Sequence, residues 1–218
     1  AAFSGCGERQ LTQPTPQMDT EDEFLVRVIL FDDAKKLSFS CDSEFTVASA
    51  DDNTLFKPTT RAAQITASAG KIKIGATVFD SPSLQLAPAA PYVFSLNEKK
   101  YRGSLHVELS ADKKTVDAIN HIPLEPYLAG VLAAEMPAYW EHAALEAQAI
   151  AARTYCLYTK NRFGKGRSWD VTRTQANQVY RGVSAESART WKAVNATKGL
   201  ILTTPDSPWP YNIFPAYY

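Results

Sequence analysis

The chain is short of cysteine and has no excess charge of either sign. Among its 218 residues there are three cysteines, and its 23 basic side chains cancel its 23 acidic ones. Cys6, Cys41 and Cys156 make no paired disulfide framework and no CxxC metal spacing. Cys156 sits within an apolar helical pattern and reads as an inert core thiol. The charge balance argues against a partner held mainly by bulk charge, so no nucleic acid and no anionic membrane surface is expected. It suits a largely neutral polymer such as a glycan. No stretch approaches the roughly 18 apolar residues of a membrane helix. What remains is room for one generous domain, or two small ones, with a real core.

The first residues stand apart. Phe3-Ser4-Gly5-Cys6 resembles the end of a bacterial lipoprotein signal, with small residues ahead of a cysteine, so Cys6 is a lipidation candidate; a free cysteine in a disordered terminus is the competing reading. From Gly7 to Glu23 the chain is polar, with Pro14 and Pro16 and almost nothing to bury, as a tether is. Residues 1–23 are therefore expected to be a lipobox-like start and disordered tether. The protein would lie outside the cytoplasm as an envelope lipoprotein, touching a membrane through the lipid alone.

From Phe24 to about Asn120 the pattern is one of strands. Phe24–Phe31 is β-branched and apolar enough for a buried strand. Lys35–Ser40, Glu44–Val47, Lys71–Gly75 and Leu105–Leu109 alternate with a period of two. Tyr101-Arg102-Gly103, Asp51-Asp52-Asn53, Asp80-Ser81-Pro82 and Asp112-Lys113-Lys114 read as turns. His106 falls on the polar side of its strand and reads as a solvated surface residue rather than a ligand.

After Asn120 the period changes to that of helices. Pro126 suits a first turn, Leu128, Val131, Leu132 and Glu135 recur at helical spacing, and Pro137 ends the run. A second helix is predicted from about Glu141 to Arg162 with Gly164 as its stop. A third follows, with Ser184 as its N-cap, towards Gly199, and Leu200–Leu202 reads as a short strand. The fold class is α+β: a β-rich part over 24–120, then a helical catalytic part over 121–218 with a few short strands.

Glu135 is the candidate for chemistry. It follows Val131 by four residues and Leu128 by seven, on the stripe expected to face the core. A carboxylate there is poorly hydrated, which favours its protonated form, as a general acid requires. The competing reading is a partly buried glutamate paired with an arginine. Arg153 borders the apolar stripe of the second helix, where its fork suits Glu135 or a sugar, or else an internal ion pair. Trp169–Gly182, with Asp170, Gln178 and Tyr180, mixes hydrogen-bonding groups and rings as a sugar groove does, although an ordinary polar loop does too.

Tyr101-Arg102-Gly103, Ile122–Val131, Ala134-Glu135-Met136-Pro137, Ala147–Tyr155 and Gln178–Gly182, in that order, make the chain from about Phe24 onward resemble stage II sporulation protein D and its relatives, the amidase enhancers. The resemblance implies a lytic transglycosylase that cuts the MurNAc–GlcNAc bond of peptidoglycan glycan strands and forms 1,6-anhydro-MurNAc, with no cofactor. It implies Glu135 as the catalytic acid and base, and Arg153, Gln148, Asp170, Gln178 and Tyr180 as substrate-binding residues. The tethered sugar hydroxyl makes an activated water and a second carboxylate unnecessary. The alternative is a non-catalytic cell-wall binding module that recruits or activates a wall amidase. Two departures stand out. Glu146 replaces a common lysine, reversing a charge near the active-site helix. The chain also stops where relatives continue into a histidine- and cysteine-bearing segment that can hold zinc, so no metal site and a C-terminally truncated domain are expected.

Overall fold

The computed structural model describes residues 24–49, 55–208 and 212–218. Cys6, the tether and the Asp51-Asp52-Asn53 turn lie outside them. In chain order the strands are β1 (Leu25–Ala34), β2 (Leu37–Ser40), β3 (Phe45–Ser49), β4 (Leu55–Phe56), β5 (Ala62–Ser68), β6 (Lys71–Ile74), β7 (Thr77–Phe79), β8 (Ser83–Pro88), β9 (Val93–Leu96), β10 (Lys99–Arg102), β11 (Ser104–Leu109) and β12 (Val116–Pro123). Helices α1 (Leu124–Glu135) and α2 (His142–Phe163), the short β13 (Val171–Thr172), a 3-10 turn (Gly182–Ala185) and α3 (Ala188–Ala196) follow. The protein is α+β, with strands first and helices after.

The strands form two sheets. One has seven strands in the order β13-β1-β12-β11-β8-β3-β4, the other six in the order β10-β9-β2-β5-β6-β7. All pairs are antiparallel except β1 with β13, which sets Val28 beside Val171. Strands β6, β8 and β9 alternate strictly between buried and half-buried positions, as sheets packed on one face do. The inward side chains of both sheets and the helices share one cluster of buried residues, from Phe39 and Val47 to Leu132, Ala149 and Val194. A file of rings runs through it. Phe45, Phe39, Phe94, Tyr101, Tyr180 and Tyr127 follow one another at centroid separations of 4.9 to 5.8 Å, spacing at which aromatic pairs attract. It joins the six-stranded sheet to α1 and to the segment carrying Tyr180.

Three local readings are corrected. Tyr101 and Arg102 belong to β10, and only Gly103, at φ +90°, makes the turn. The cap of α3 is Ser187, not Ser184: Ser187 Oγ accepts from Thr190 N–H at 3.2 Å while Ser187 N–H donates to Thr190 Oγ1 at 2.9 Å, a reciprocal cap that Ser184, inside the 3-10 turn, does not make. Leu200–Leu202 is not a strand, because its backbone bonds to α2 side chains instead: Leu202 N–H donates to Thr154 Oγ1 at 2.9 Å and Arg153 NH1 to Leu200 O at 3.0 Å.

Candidate active site

Glu135 is the last residue of α1. Proline at 137 disfavours helical backbone in the residue before it, and Met136 accordingly turns to φ −143°, ψ 150°. The final turn thus emerges from the core: Leu128, Val131 and Leu132 are fully buried, whereas Glu135 is half-buried. The sequence reading placed its carboxylate among core side chains; in the structure it stands at their edge. No basic side chain lies in that last turn. Its oxygen Oε1 accepts the Val179 backbone N–H at 2.5 Å.

That amide is brought to Glu135 by close packing of 178–182 on α1. A Cβ at Gly130 would stand 2.6 Å from Cε2 of Tyr180, so only glycine lets the ring in. Gly130 O accepts from Arg181 N–H at 3.2 Å. Gly182, at φ +62°, lies against Lys100 O with no room for a side chain. The Tyr180 hydroxyl donates to Asn120 Oδ1 at 3.0 Å. Gln178 is fully buried; its Oε1 accepts from the Tyr127 hydroxyl at 3.1 Å, and its Nε2 donates to Ala152 O at 3.1 Å and to the Tyr218 hydroxyl at 2.6 Å. Asn177 Nδ2 donates to the Tyr155 hydroxyl at 3.2 Å.

The other candidates separate by burial. Arg153 does not meet Glu135. It is 1% exposed and grips Glu125 with Nε at 3.1 Å and NH2 at 2.7 Å, the internal ion pair that was the alternative reading. Asp170, fully buried, takes Arg27 Nε and NH2 at 3.1 and 2.6 Å and Lys160 Nζ at 2.9 Å. Burial works to raise its pKa, but the Arg27 and Lys160 hydrogen bonds outweigh it and hold the carboxyl below its ordinary value. Tyr180 is 3% exposed. In these four, Gln178 included, the polar atoms have partners inside the fold; Gln178 and Tyr180 hold the segment that reaches Glu135. Glu146 turns to His142, one helical turn earlier, at 3.2 Å.

Gln148 is different. It is nine-tenths buried, and its Nε2 has no hydrogen-bond partner, whereas buried donors are almost always satisfied. It lies one turn before Ala152 and two before Tyr155 on α2, the face whose groups bond Gln178 and Asn177.

Among the described residues no group of three or more histidine, cysteine, aspartate or glutamate side chains is placed to hold a metal, and no helix is long and apolar enough to cross a membrane. Cys41 and Cys156 are free and buried; burial pushes the Cys156 thiol well up, against ready thiolate chemistry. Two open pockets, about 860 and 720 Å³, lie in the β-rich half beside Pro58–Thr60, and neither is lined by Glu135. What sequence reasoning missed here is Val179, since a backbone donor leaves no side-chain signature.

Part of the chain is similar to a known family. Residues 112–204, which include Glu135, Gln148 and Val179, match the model of the family described as Stage II sporulation protein. Individual relatives are similar over about half of this chain or less. The chain is 36% identical to stage II sporulation protein D of Bacillus subtilis over 106 residues, 42% of this chain and 31% of that protein. It is 38% identical to the amidase enhancer of the same organism over 108 residues, 50% of this chain and 14% of that protein. An uncharacterised protein of Brachyspira hyodysenteriae is 37% identical over 105 residues, 48% of this chain and 28% of that one. The chain thus spans less than a third of each of these relatives, and most of the β-rich half lies outside the matched family region.

Proposed function

We propose that this chain is the sugar-cleaving part of a peptidoglycan lytic transglycosylase with Glu135 as its acid and base. One observation carries the reading: a half-buried carboxylate at the end of α1, held by the Val179 N–H at 2.5 Å, within the region that matches the sporulation-protein family. Protonated Glu135 gives its proton to the glycosidic oxygen as the MurNAc C1–O bond breaks and positive charge develops on the ring. The muramyl C6 hydroxyl oxygen then bonds to C1, and its proton passes to Glu135, now a base. The products are a 1,6-anhydro-MurNAc end and a free GlcNAc 4-hydroxyl. No water is consumed, and the nucleophile is already tethered to the reacting ring. Gln148 supplies substrate contact in this scheme, its unpartnered Nε2 donating to a sugar or N-acetyl oxygen. The setting that goes with the function is the cell envelope outside the cytoplasm, with a lipid anchor at Cys6.

The test is mass spectrometry of products from purified, peptide-free glycan strands. Wild type should release anhydro-muramyl ends, and Glu135→Gln should lose about 10²- to 10⁴-fold. Equal release by both removes Glu135 from the chemistry. The relative named amidase enhancer favours a second reading, a non-catalytic module that binds glycan strands and recruits or activates a wall amidase. Glycan binding with no anhydro product from wild type would select it.

A further inference from the structure

Positive charge is unevenly spread along the chain. Between Ala147 and Ala185 stand seven basic residues, from Arg153 to Arg181, and a single acidic one, Asp170. The chain-wide balance hides this local excess. Lys160, Arg162, Lys165 and Arg167 gather at the end of α2 and in the turn that follows it. A helix C-terminus favours cations, which accounts for Lys160 and Arg162 but not for Lys165 and Arg167 beyond it.

Side-chain contacts join these residues into one patch. The Arg167 guanidinium lies 3.7 Å from the centre of the Trp169 ring and 5.8 Å from that of Phe163, and Arg162 approaches Phe163 at 5.1 Å. Lys160 Nζ stands 5.2 Å from the Phe24 ring and donates to Leu25 O at 2.9 Å. Arg27 donates to Gly164 O at 2.7 Å. Arg27 and Lys160 share Asp170, so that trio stays positive. Arg162 and Lys165 are exposed, and so are Phe163 at 46% and Leu25 at 43%. The buried Nε of Arg167 has no hydrogen-bond partner. Cations beside rings and open apolar side chains suit a membrane interface, where charged ends meet lipid phosphates and rings settle among the headgroups.

We propose that this patch lies on an anionic phospholipid surface, with Arg162, Lys165 and Arg167 at the phosphates and Phe163 and Leu25 at headgroup depth. This rests on the reading above that Cys6 carries a lipid. Phe24, where the segment from Cys6 joins the fold, is itself part of the patch, so an anchored chain is drawn down on this face. A lipid and a basic patch together hold a membrane more firmly than either alone. The Glu135 site stays clear of the lipid. Ala152, whose carbonyl takes Gln178 beside the Glu135 donor, lies three turns back along α2, about 16 Å from Phe163.

The experiment uses the whole chain carrying Cys6→Ser, which takes no lipid, and measures its sedimentation with vesicles. It should bind phosphatidylcholine vesicles holding about one-third phosphatidylglycerol, not pure phosphatidylcholine, and should be released by about 0.5 M salt. Lys165→Gln should weaken binding about 5-fold and Lys165→Glu about 25-fold, and Phe163→Ser about 3- to 10-fold. Lys165→Arg should keep it. Melting temperatures should hardly move, since Lys165 and Phe163 are exposed. Lys114→Gln is the control, in the turn before Val116 at the far end of β1 from Leu25, and should bind as before. No binding to the anionic vesicles, equal binding to the neutral ones, or an equal loss in Lys114→Gln overturns the patch. Binding to soluble polyglycerol phosphate as tight as to the vesicles, at equal phosphate, overturns the membrane in favour of a wall polymer. The readings fail separately: an unmodified Cys6 by mass spectrometry ends the anchor, and equal anhydro-product release by wild type and Glu135→Gln ends the transglycosylase, while vesicle binding by the Cys6→Ser chain depends on neither.

Discussion

Arg153 closes its guanidinium on Glu125, at 3.1 and 2.7 Å, and so ties α2 to the first turn of α1. Its remaining donors meet the carbonyls of Leu200, at 3.0 Å, and of Ala149 and Val194, both at 3.5 Å. The arginine is a brace between α1, α2 and the chain leaving α3, at the opposite end of α1 from Glu135.

Removing it leaves a half-buried carboxylate without its partner and takes from Leu200 O the donor it has at 3.0 Å. Arg153→Ala is expected to cost about 3–5 kcal/mol of stability, as removal of one partner of a buried pair does. Arg153→Lys should recover little, because a single ammonium does not span both Glu125 oxygens and the carbonyls. Urea unfolding followed by circular dichroism measures both. Native stability with lost glycan binding would instead return Arg153 to the substrate.

Gly130→Ala sets two effects against each other. Alanine favours a helix interior by about 1 kcal/mol over glycine, but the added methyl would stand 2.6 Å from a Tyr180 ring that is 3% exposed. The ring is fixed by Asn120 and by neighbours on both sides, so it does not yield cheaply. The steric cost, about 1–3 kcal/mol for overpacking, should win. Displacing Tyr180 also displaces the adjoining Val179 amide, and turnover by the folded fraction should fall. A variant that is more stable and fully active would show that the contact relaxes freely.

How far the sequence foretells this depends on how local each feature is. The period of two in Lys71–Gly75 and Leu105–Leu109 and the period of helices after Asn120 appear as β6, β11, α1 and α2 with ends within about two residues, because Pro137 and Gly164 punctuate them. Strand β5 was not legible. Ala-Ala-Gln-Ile-Thr-Ala-Ser has one large apolar residue, and its strand state comes from pairing with β2 and β6. Leu200–Leu202 misled for the converse reason, an apolar run whose hydrogen bonds go to a helix. Glu135 was legible as a carboxylate at the end of an apolar stripe. Its donor, 44 residues away, depends on a tertiary contact that Gly130 permits, and no local pattern reports that.

His106 was expected on a wet surface, yet its ring stacks on His121 of the neighbouring strand at 3.5 Å and 6°. Burial lowers the His106 pKa to about 4. Burial, then His106 and Arg27, lower that of His121 to about 3, with Asp170 opposing and Lys160 assisting. Both lie below the roughly 6.5 of free imidazole, so the unfolded chain takes up these protons first and acid favours it. Their stabilisation is complete above about pH 6.5 and is lost as pH falls through 4 towards 3. Urea midpoints should therefore drop from pH 7 to 4, and the doubly substituted His106→Gln, His121→Gln chain should show a flatter profile. Parallel profiles would remove the pair from the acid response.

Gln178 is where stability and chemistry meet. It is fully buried and holds Tyr127, Ala152 and Tyr218 at once, one residue before the amide that binds Glu135. Gln178→Leu keeps the bulk but strands the buried Tyr127 hydroxyl, at about 1–3 kcal/mol. If Gln178 acts by positioning Val179, kcat should fall while KM for glycan strands changes less, since Gln148 is untouched. Tyr127→Phe controls for the stability component, because it breaks one hydrogen bond of Gln178 and leaves those to Ala152 and Tyr218. It should lower stability with kcat nearly unchanged. Equal kcat losses in the two variants at matched folded fraction would mean that the site merely tracks stability and that Gln178 has no role in setting the Glu135 geometry.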